Sequence, residues 1–183
     1  AVLQSAGLAL TILRPSVIFG AEDRFLNTFA RLQRAFPVLP LAGSRTRFQP
    51  VWVGDVAQAV VHCLRQPQTI GHTYECVGPS IYTLAELVRL AGRLSGRQRP
   101  IWPLPVALGY FQALMLEWLP GEPLMSTDNL RSMEVDNVAS GTLPGLEAIG
   151  ITAQALEPVA ASYLDMAGRA DPLLALREQA SRR

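Results

Sequence analysis

The feature that most limits the fold is a short apolar run at residues 8–13, broken by Arg14-Pro15. It is nearly continuous rather than alternating, the pattern of a strand covered on both faces in a parallel sheet packed by helices. A second strand is expected at residues 73–77, between Gly71 and Gly78-Pro79, and Phe48-Gln49-Pro50-Val51-Trp52-Val53 alternates like a third, shorter one. Helical patterns fill the intervals, so the chain reads as α/β. Its strands are too few to complete a sheet. The sequence opens Ala1-Val2-Leu3-Gln4-Ser5-Ala6-Gly7, which resembles the last turns of a helix ending at Gly7 and not a signal peptide. Both features are expected of one part of a larger fold.

Caps and spacing place the helices. Glu22-Asp23 offers a cap for a helix over 24–35, whose Phe25, Phe29, Leu32 and Phe36 share a face and which Pro37 and Pro40 end. Asp55 with Gln58 resembles a capping box opening a helix to Leu64, and Thr83 with Glu86 forms a better one. Leu84, Leu87, Val88, Ala91 and Leu94 then form a buried stripe, with Gly96 as the C′ glycine. Pro105 suits the first position of an apolar helix to about Leu119. Ser126 is expected to cap a short helix through Met133, and Thr152 another through Leu164. The more polar residues 165–183 are expected to fray, leaving one domain over 1–164 and a tail.

The chain has 183 residues, 49% hydrophobic and 17% charged, enough for one compact core and unlike a disordered tail. A net charge of +1 gives no global sign of nucleic acid. All 16 basic residues are arginine, so neither a Schiff base nor lysine-assisted proton transfer can come from this chain. Cys63 and Cys76 fit a reducing compartment, and with His62 and His72 they match no zinc spacing; no metal is expected.

Four segments in order resemble extended short-chain dehydrogenases, the NAD-dependent epimerase/dehydratase family. Leu10-Thr11-Ile12-Leu13-Arg14-Pro15-Ser16-Val17-Ile18-Phe19-Gly20 is similar to the strand and loop after that family's Tyr-x-x-x-Lys segment. Val51-Trp52-Val53-Gly54-Asp55-Val56-Ala57 resembles a later strand-to-helix junction. Thr73-Tyr74-Glu75-Cys76-Val77-Gly78-Pro79 resembles the final strand, and Thr83-Leu84-Ala85-Glu86-Leu87 the helix after it. Phe19-Gly20-Ala21-Glu22-Asp23-Arg24-Phe25-Leu26-Asn27 and Asp136-Asn137-Val138 are similar to one branch, the nucleotide-binding accessory subunits of respiratory complex I and their bacterial relatives.

The resemblance implies the C-terminal part of a Rossmann-type fold: the last sheet strands plus a mostly helical substrate-side subdomain. It implies that Pro15, Ser16 and Val17 line the nicotinamide and ribose of NAD or NADP. Ligands of such sheets do sit beyond the carboxyl ends of the strands; a plain strand-to-loop exit is the other reading. Phe25, Asn27 and Arg47 are placed on the substrate side, with solvated loop arginines as the alternative for Arg45 and Arg47.

What is missing weighs as much. Gly141, Gly145 and Gly150 lack the spacing of a phosphate-cradling turn, and without lysine there is no Tyr-x-x-x-Lys. No catalytic residue is assigned, and the chain alone is expected to bind dinucleotide poorly and not to turn over. The whole protein then reads as a quinone-related respiratory accessory protein whose N-terminal Rossmann half is a missing partner. The alternative is an active epimerase, dehydratase or reductase acting on a sugar nucleotide or another carbonyl, with Tyr and Lys in that missing half. A bare folding and contact module is the third reading.

Arg89, Arg93 and Arg97 recur at helical spacing, before an apolar arc carrying Phe111, Leu114, Met115 and Trp118. From Pro105 that helix falls short of the ~20 residues needed to span a bilayer. It is read either as buried or as a surface for a membrane, a quinone or a partner subunit. Localisation is expected to be cytoplasmic, peripheral to the inner face of a membrane.

Overall fold

The computed structural model describes residues 9–105 and 135–164. The expected helices at 105–119 and 126–133, the helix end at Gly7 and the polar tail lie outside the described residues. Strand β1 (Ile12–Pro15) pairs in parallel with β6 (Thr73–Cys76), in the register Arg14 to Glu75. Three further pairs are formed. Strands β2 (Ile18–Phe19) and β5 (Val51–Trp52) are parallel, as are β3 (Leu39–Ala42) and β8 (Ile101–Leu104). Strands β4 (Arg47–Phe48) and β7 (Tyr82–Thr83) are antiparallel. Helices α1 (Phe25–Ala35), α2 (Val53–Arg65), α3 (Leu84–Leu94) and α4 (Leu156–Leu164) complete the described α/β architecture.

The best-determined element is α3. Thr83 Oγ1 accepts from the Glu86 N–H while the Glu86 carboxylate accepts from the Thr83 N–H, a complete capping box. The helix ends on Gly96 at φ 70°, with Arg97 N–H donating to Gly92 and Gly96 N–H to Arg93, the two bonds of a Schellman motif. Its Leu84, Leu87, Val88 and Ala91 are buried among Phe29 and Ala30 of α1 and Ala160 and Leu164 of α4. Leu94 is only half-buried.

Several expectations need correction. Strand β1 starts at Ile12 and continues through Arg14 and Pro15, and it is half-buried to exposed instead of covered on both faces. Among the described residues it has a neighbour on one edge only, so little covers it. The Phe48–Val53 alternation resolves into β4 and β5, and Val53 already belongs to α2. Asp55 is therefore no cap: it lies in the first turn of α2, 1% exposed, and accepts from the Gln154 N–H at 2.7 Å. Free N–H groups and the helix dipole stabilise a carboxylate there. The same bond holds Gln154 outside any helix, so α4 starts at Leu156 and not after Thr152. Phe36 is exposed, beyond the end of α1. Residues 101–104 pair with β3 as a strand, and Pro103 is accommodated because β8 has β3 as its single neighbour among the described residues.

Candidate functional site

The carboxyl ends of β1 and β6 carry the residues that the sequence singles out. Pro15 closes β1 in register with Cys76, and the Ser16 N–H donates to the Cys76 carbonyl at 3.1 Å. The chain then turns into β2, where Val17 O accepts from the Val51 N–H at 3.0 Å. Pro15 is exposed, Val17 is half-buried, and Ser16 is buried at 7% exposure. The Ser16 hydroxyl donates to the Asn137 carbonyl at 2.9 Å. That carbonyl also accepts from the Gln49 N–H at 3.0 Å, while the Asn137 N–H donates to Arg47 O at 2.8 Å.

Arg47 fixes the same segment through its side chain. Asp136 accepts from the Arg47 backbone N–H at 2.8 Å and from Nε at 2.8 Å, and its Oδ2 lies 2.7 Å from Nη2. The backbone N–H of Arg47, then its guanidinium, hold the Asp136 carboxyl below the usual aspartate range. Gln49 bridges onward, donating to Gly78 O at 2.8 Å and accepting from the Ala139 N–H at 3.0 Å. Gly78 must be glycine, since a β-carbon there would strike the Pro50 carbonyl. Buried Glu75 accepts from the Ser140 N–H at 2.9 Å. Residues 136–140 thus run across the end of the sheet, pinned to both strands and to the β4 loop.

A second knot lies at the start of α1. Asp23 Oδ1 accepts from the Leu26 N–H at 2.6 Å, from one residue before the N-cap of α1, Arg24, which has no side-chain cap bond. Its Oδ2 accepts from the Gly20 N–H at 3.2 Å and from the Tyr163 hydroxyl at 2.8 Å. Asn27 turns its amide back onto Ala21 O and Asp23 O. Phe25 packs edge-on against Phe29 at 5.3 Å and lies 5.7 Å from Phe48. Of the three expected substrate-side residues, Phe25 and Arg47 are thus linked through β4, whereas the Asn27 amide is spent within its own loop.

Two titratable groups near these knots have strongly raised pKa values. Burial, then the hydrogen bond to Asp23 and that carboxylate's charge, push the Tyr163 phenol far above its ordinary pKa. Burial, followed by the neighbouring Cys63, raises the Cys76 thiol to about 11, only partly offset by an Arg14 backbone hydrogen bond. Both groups stay neutral near pH 7, and both are held inside the fold. The Pro15-Ser16-Val17 exit carries no charged side chain. Nothing among the described residues forms the glycine-rich turn at a helix N-terminus that a pyrophosphate needs.

Sequence reasoning missed Tyr163 and Gln49, which show no local pattern because their partners are 140 and 90 positions away. Asp136 and Asn137 carried a signal only through the resemblance. Arg89, Arg93 and Arg97 are exposed, and Arg93 lies 3.9 Å from Glu157. Phe111, Leu114, Met115 and Trp118 lie outside the described residues. No helix among the described residues is long and apolar enough to cross a membrane, and none of their His, Cys, Asp and Glu side chains gather in a group of three or more suited to a metal.

No family model matches the chain. Curated relatives do. The chain is 36% identical over 148 residues to NADH dehydrogenase (ubiquinone) 1 alpha subcomplex subunit 9, mitochondrial, of Mus musculus, covering 80% of this chain and 39% of that protein. It is 30% identical over 150 residues to the NADH-ubiquinone oxidoreductase 40 kDa subunit, mitochondrial, of Neurospora crassa, covering 82% of this chain and 39% of that protein. Among solved structures it superposes on dTDP-glucose 4,6-dehydratase of Bacillus anthracis, a complex with NAD, at a TM-score of 0.55 and 15% identity. That match covers 88% of this chain and 45% of the dehydratase, and shows the fold alone.

Proposed function

Because the chain belongs to the extended short-chain dehydrogenase family, in the branch of the complex I accessory subunits, we propose that it is the substrate-side portion of an NAD(P)-binding respiratory accessory protein with little turnover. The observation that carries this reading is the commitment of the polar groups at the sheet's carboxyl end and at the start of α1 to holding the protein together. Ser16 is tied to Asn137, Arg47 to Asp136 and Tyr163 to Asp23. In this reading Pro15, Ser16 and Val17 contact the nicotinamide end of NAD or NADP, and Phe25 and Arg47 lie on the substrate side. The pyrophosphate is held by an N-terminal dinucleotide-binding half outside this chain. The exposed Arg89, Arg93 and Arg97 serve a partner subunit or an anionic membrane surface at the periphery of a quinone-reducing assembly.

Calorimetric titration with NADH and NADPH tests it. The 183-residue chain is expected to show no micromolar binding, and the full-length polypeptide carrying it to bind one cofactor tightly. Bound NADH or NADPH should then persist when simple carbonyl compounds or sugar nucleotides are added. Micromolar binding by the chain alone would mean that the cofactor site is misplaced. Steady turnover by the full-length protein would favour the active epimerase or reductase.

A further inference from the structure

Two groups of exposed large apolar side chains differ in chemistry. Val53, Val60, Val61 and Leu64 form a stripe along α2. Phe36, Val38 and Trp102 lie where α1 ends, β3 begins and β8 runs beside it, and Trp102 is 68% exposed. Hydrogen bonds hold this second region together. Arg99 donates its backbone N–H to Gln33 Oε1 at 3.1 Å and its Nε–H to Gln33 O at 3.2 Å, which ties the chain after α3 to the last turns of α1. The Leu39 N–H donates to Pro100 O at 2.9 Å. In the β3–β8 pair Leu39, Leu41 and Ile101 pack on the main core, whereas Pro40 and its register partner Trp102 are exposed. Val38, two positions before Pro40, is exposed as well.

Charge sets this region apart. Residues 24–54 hold five arginines and residues 87–105 hold four, with no aspartate or glutamate in either stretch. Two of the nine are close to carboxylates from elsewhere: Arg89 acts on the Glu86 carboxyl, and Arg93 lies 3.9 Å from Glu157. Arg31 and Arg34 precede Phe36 in the chain, and Arg97 and Arg99 precede Trp102; none of the four forms an ion pair with a described carboxylate. Arg31 and Arg97 are exposed, Arg34 and Arg99 half-buried. Prolines at 37, 40, 100 and 103 remove backbone donors from the same segments, so the region is poorly suited to adding a strand from a protein partner.

We propose that this face docks on an anionic phospholipid surface, with Trp102, Phe36 and Val38 entering the headgroup layer and Arg31 and Arg97 pairing with lipid phosphates. Tryptophan is favoured at that depth because its ring is apolar and carries a single polar N–H. Each arginine near an anionic leaflet strengthens binding by about fivefold, and no carboxylate of these two stretches opposes the attraction. The proposal rests on the functional reading above, and it moves the membrane contact from the stripe of Arg89, Arg93 and Arg97 to a tryptophan-bearing face that shares only Arg97.

Sedimentation of the full-length polypeptide with phosphatidylcholine vesicles, with and without phosphatidylglycerol, tests the face directly. Binding is expected to the anionic vesicles at low salt, and to weaken as salt screens the arginines. The pair Arg31→Gln and Arg97→Gln should weaken it about tenfold or more. Trp102→Ser should weaken it severalfold at unchanged charge, and Phe36→Ser replaces that variant if it folds poorly. Arg45→Gln with Arg65→Gln, an equal loss of charge away from this face, should change binding by no more than about twofold. Equal losses in the two charge pairs would overturn the proposal, because net charge and not this face would then drive binding. An unaltered Trp102→Ser would overturn it too. So would the absence of anionic vesicle binding at low salt, which would leave the face to an acidic protein surface. NADH and NADPH titration on the same preparations separates these outcomes from the functional reading. Vesicle binding without cofactor binding keeps the docking face and removes the cofactor role; cofactor binding without vesicle binding does the reverse.

Discussion

The two hydrophobic clusters among the described residues are built differently. Around α1, α3 and α4, sixteen buried residues enclose one another, with Phe19, Leu84, Leu87, Val88 and Leu164 at 1% exposure or less. Around β1, β6 and α2 the cluster has six buried members, and α2 turns its apolar stripe outward. The first cluster is closed on itself, with a capped helix at its centre. The second is covered on one side and open on the other. One region therefore buries most of the described core, while the other leaves an apolar stripe on the surface.

The largest expected effect probes that contrast. Leu87→Ala in the closed cluster should cost about 2–5 kcal/mol by chemical denaturation, the loss of a buried leucine plus its cavity. Leu64→Ala on the open stripe should change the stability of the isolated chain by within about 0.5 kcal/mol. Comparable losses at the two positions would erase the distinction between the clusters.

A middle-sized effect is expected at the tie between α2 and the chain that follows residue 150. Asp55→Ala leaves the Gln154 N–H without its acceptor, a loss of about 1–2 kcal/mol for a part-buried hydrogen bond. Thermal unfolding measures the loss, and faster amide exchange at Gln154 should accompany it. An unchanged melting temperature would show that the open half does not depend on this bond.

The smallest effect lies at the cap of α3. Thr83→Ala should cost about 1 kcal/mol. The Thr83 backbone N–H, then its hydroxyl, hold the Glu86 carboxyl below the ordinary glutamate value of 4.5. A depressed carboxylate contributes stability at pH values above its unfolded pKa and loses it as pH falls through the folded pKa. The cap should therefore be intact at neutral pH and weaken below about pH 4.5. In Thr83→Ala that part of the acid dependence should be smaller; an identical acid profile would mean that the capping box contributes nothing in solution.

How much was legible in advance follows the same division. Helix α3 could be read from Thr83, Glu86, Leu84, Leu87, Val88 and Gly96 because caps, stripe and C′ glycine are all local. The strands at 12–15 and 73–76 could be expected from short apolar runs, though not their limits. The site was legible only as the Pro15-Ser16-Val17 exit and, by resemblance, Asp136-Asn137. Asp55 shows why the rest was not. Its spacing to Gln58 suggested a cap, but a tertiary partner, Gln154, claimed the carboxylate and drew it inside the helix.

By itself, then, the sequence determined the α/β class, the capped helix and the lack of lysine chemistry, because local spacing and composition decide those. Only the tertiary structure decided that Ser16, Arg47 and Tyr163 are each engaged by distant partners, and that α2 faces outward with half its apolar surface. Pairings across 89, 121 and 140 positions leave no periodic trace in a chain. The Ser16 and Tyr163 bonds arise because polar groups taken out of water must find donors and acceptors wherever packing places them, whereas the Arg47–Asp136 pair is exposed.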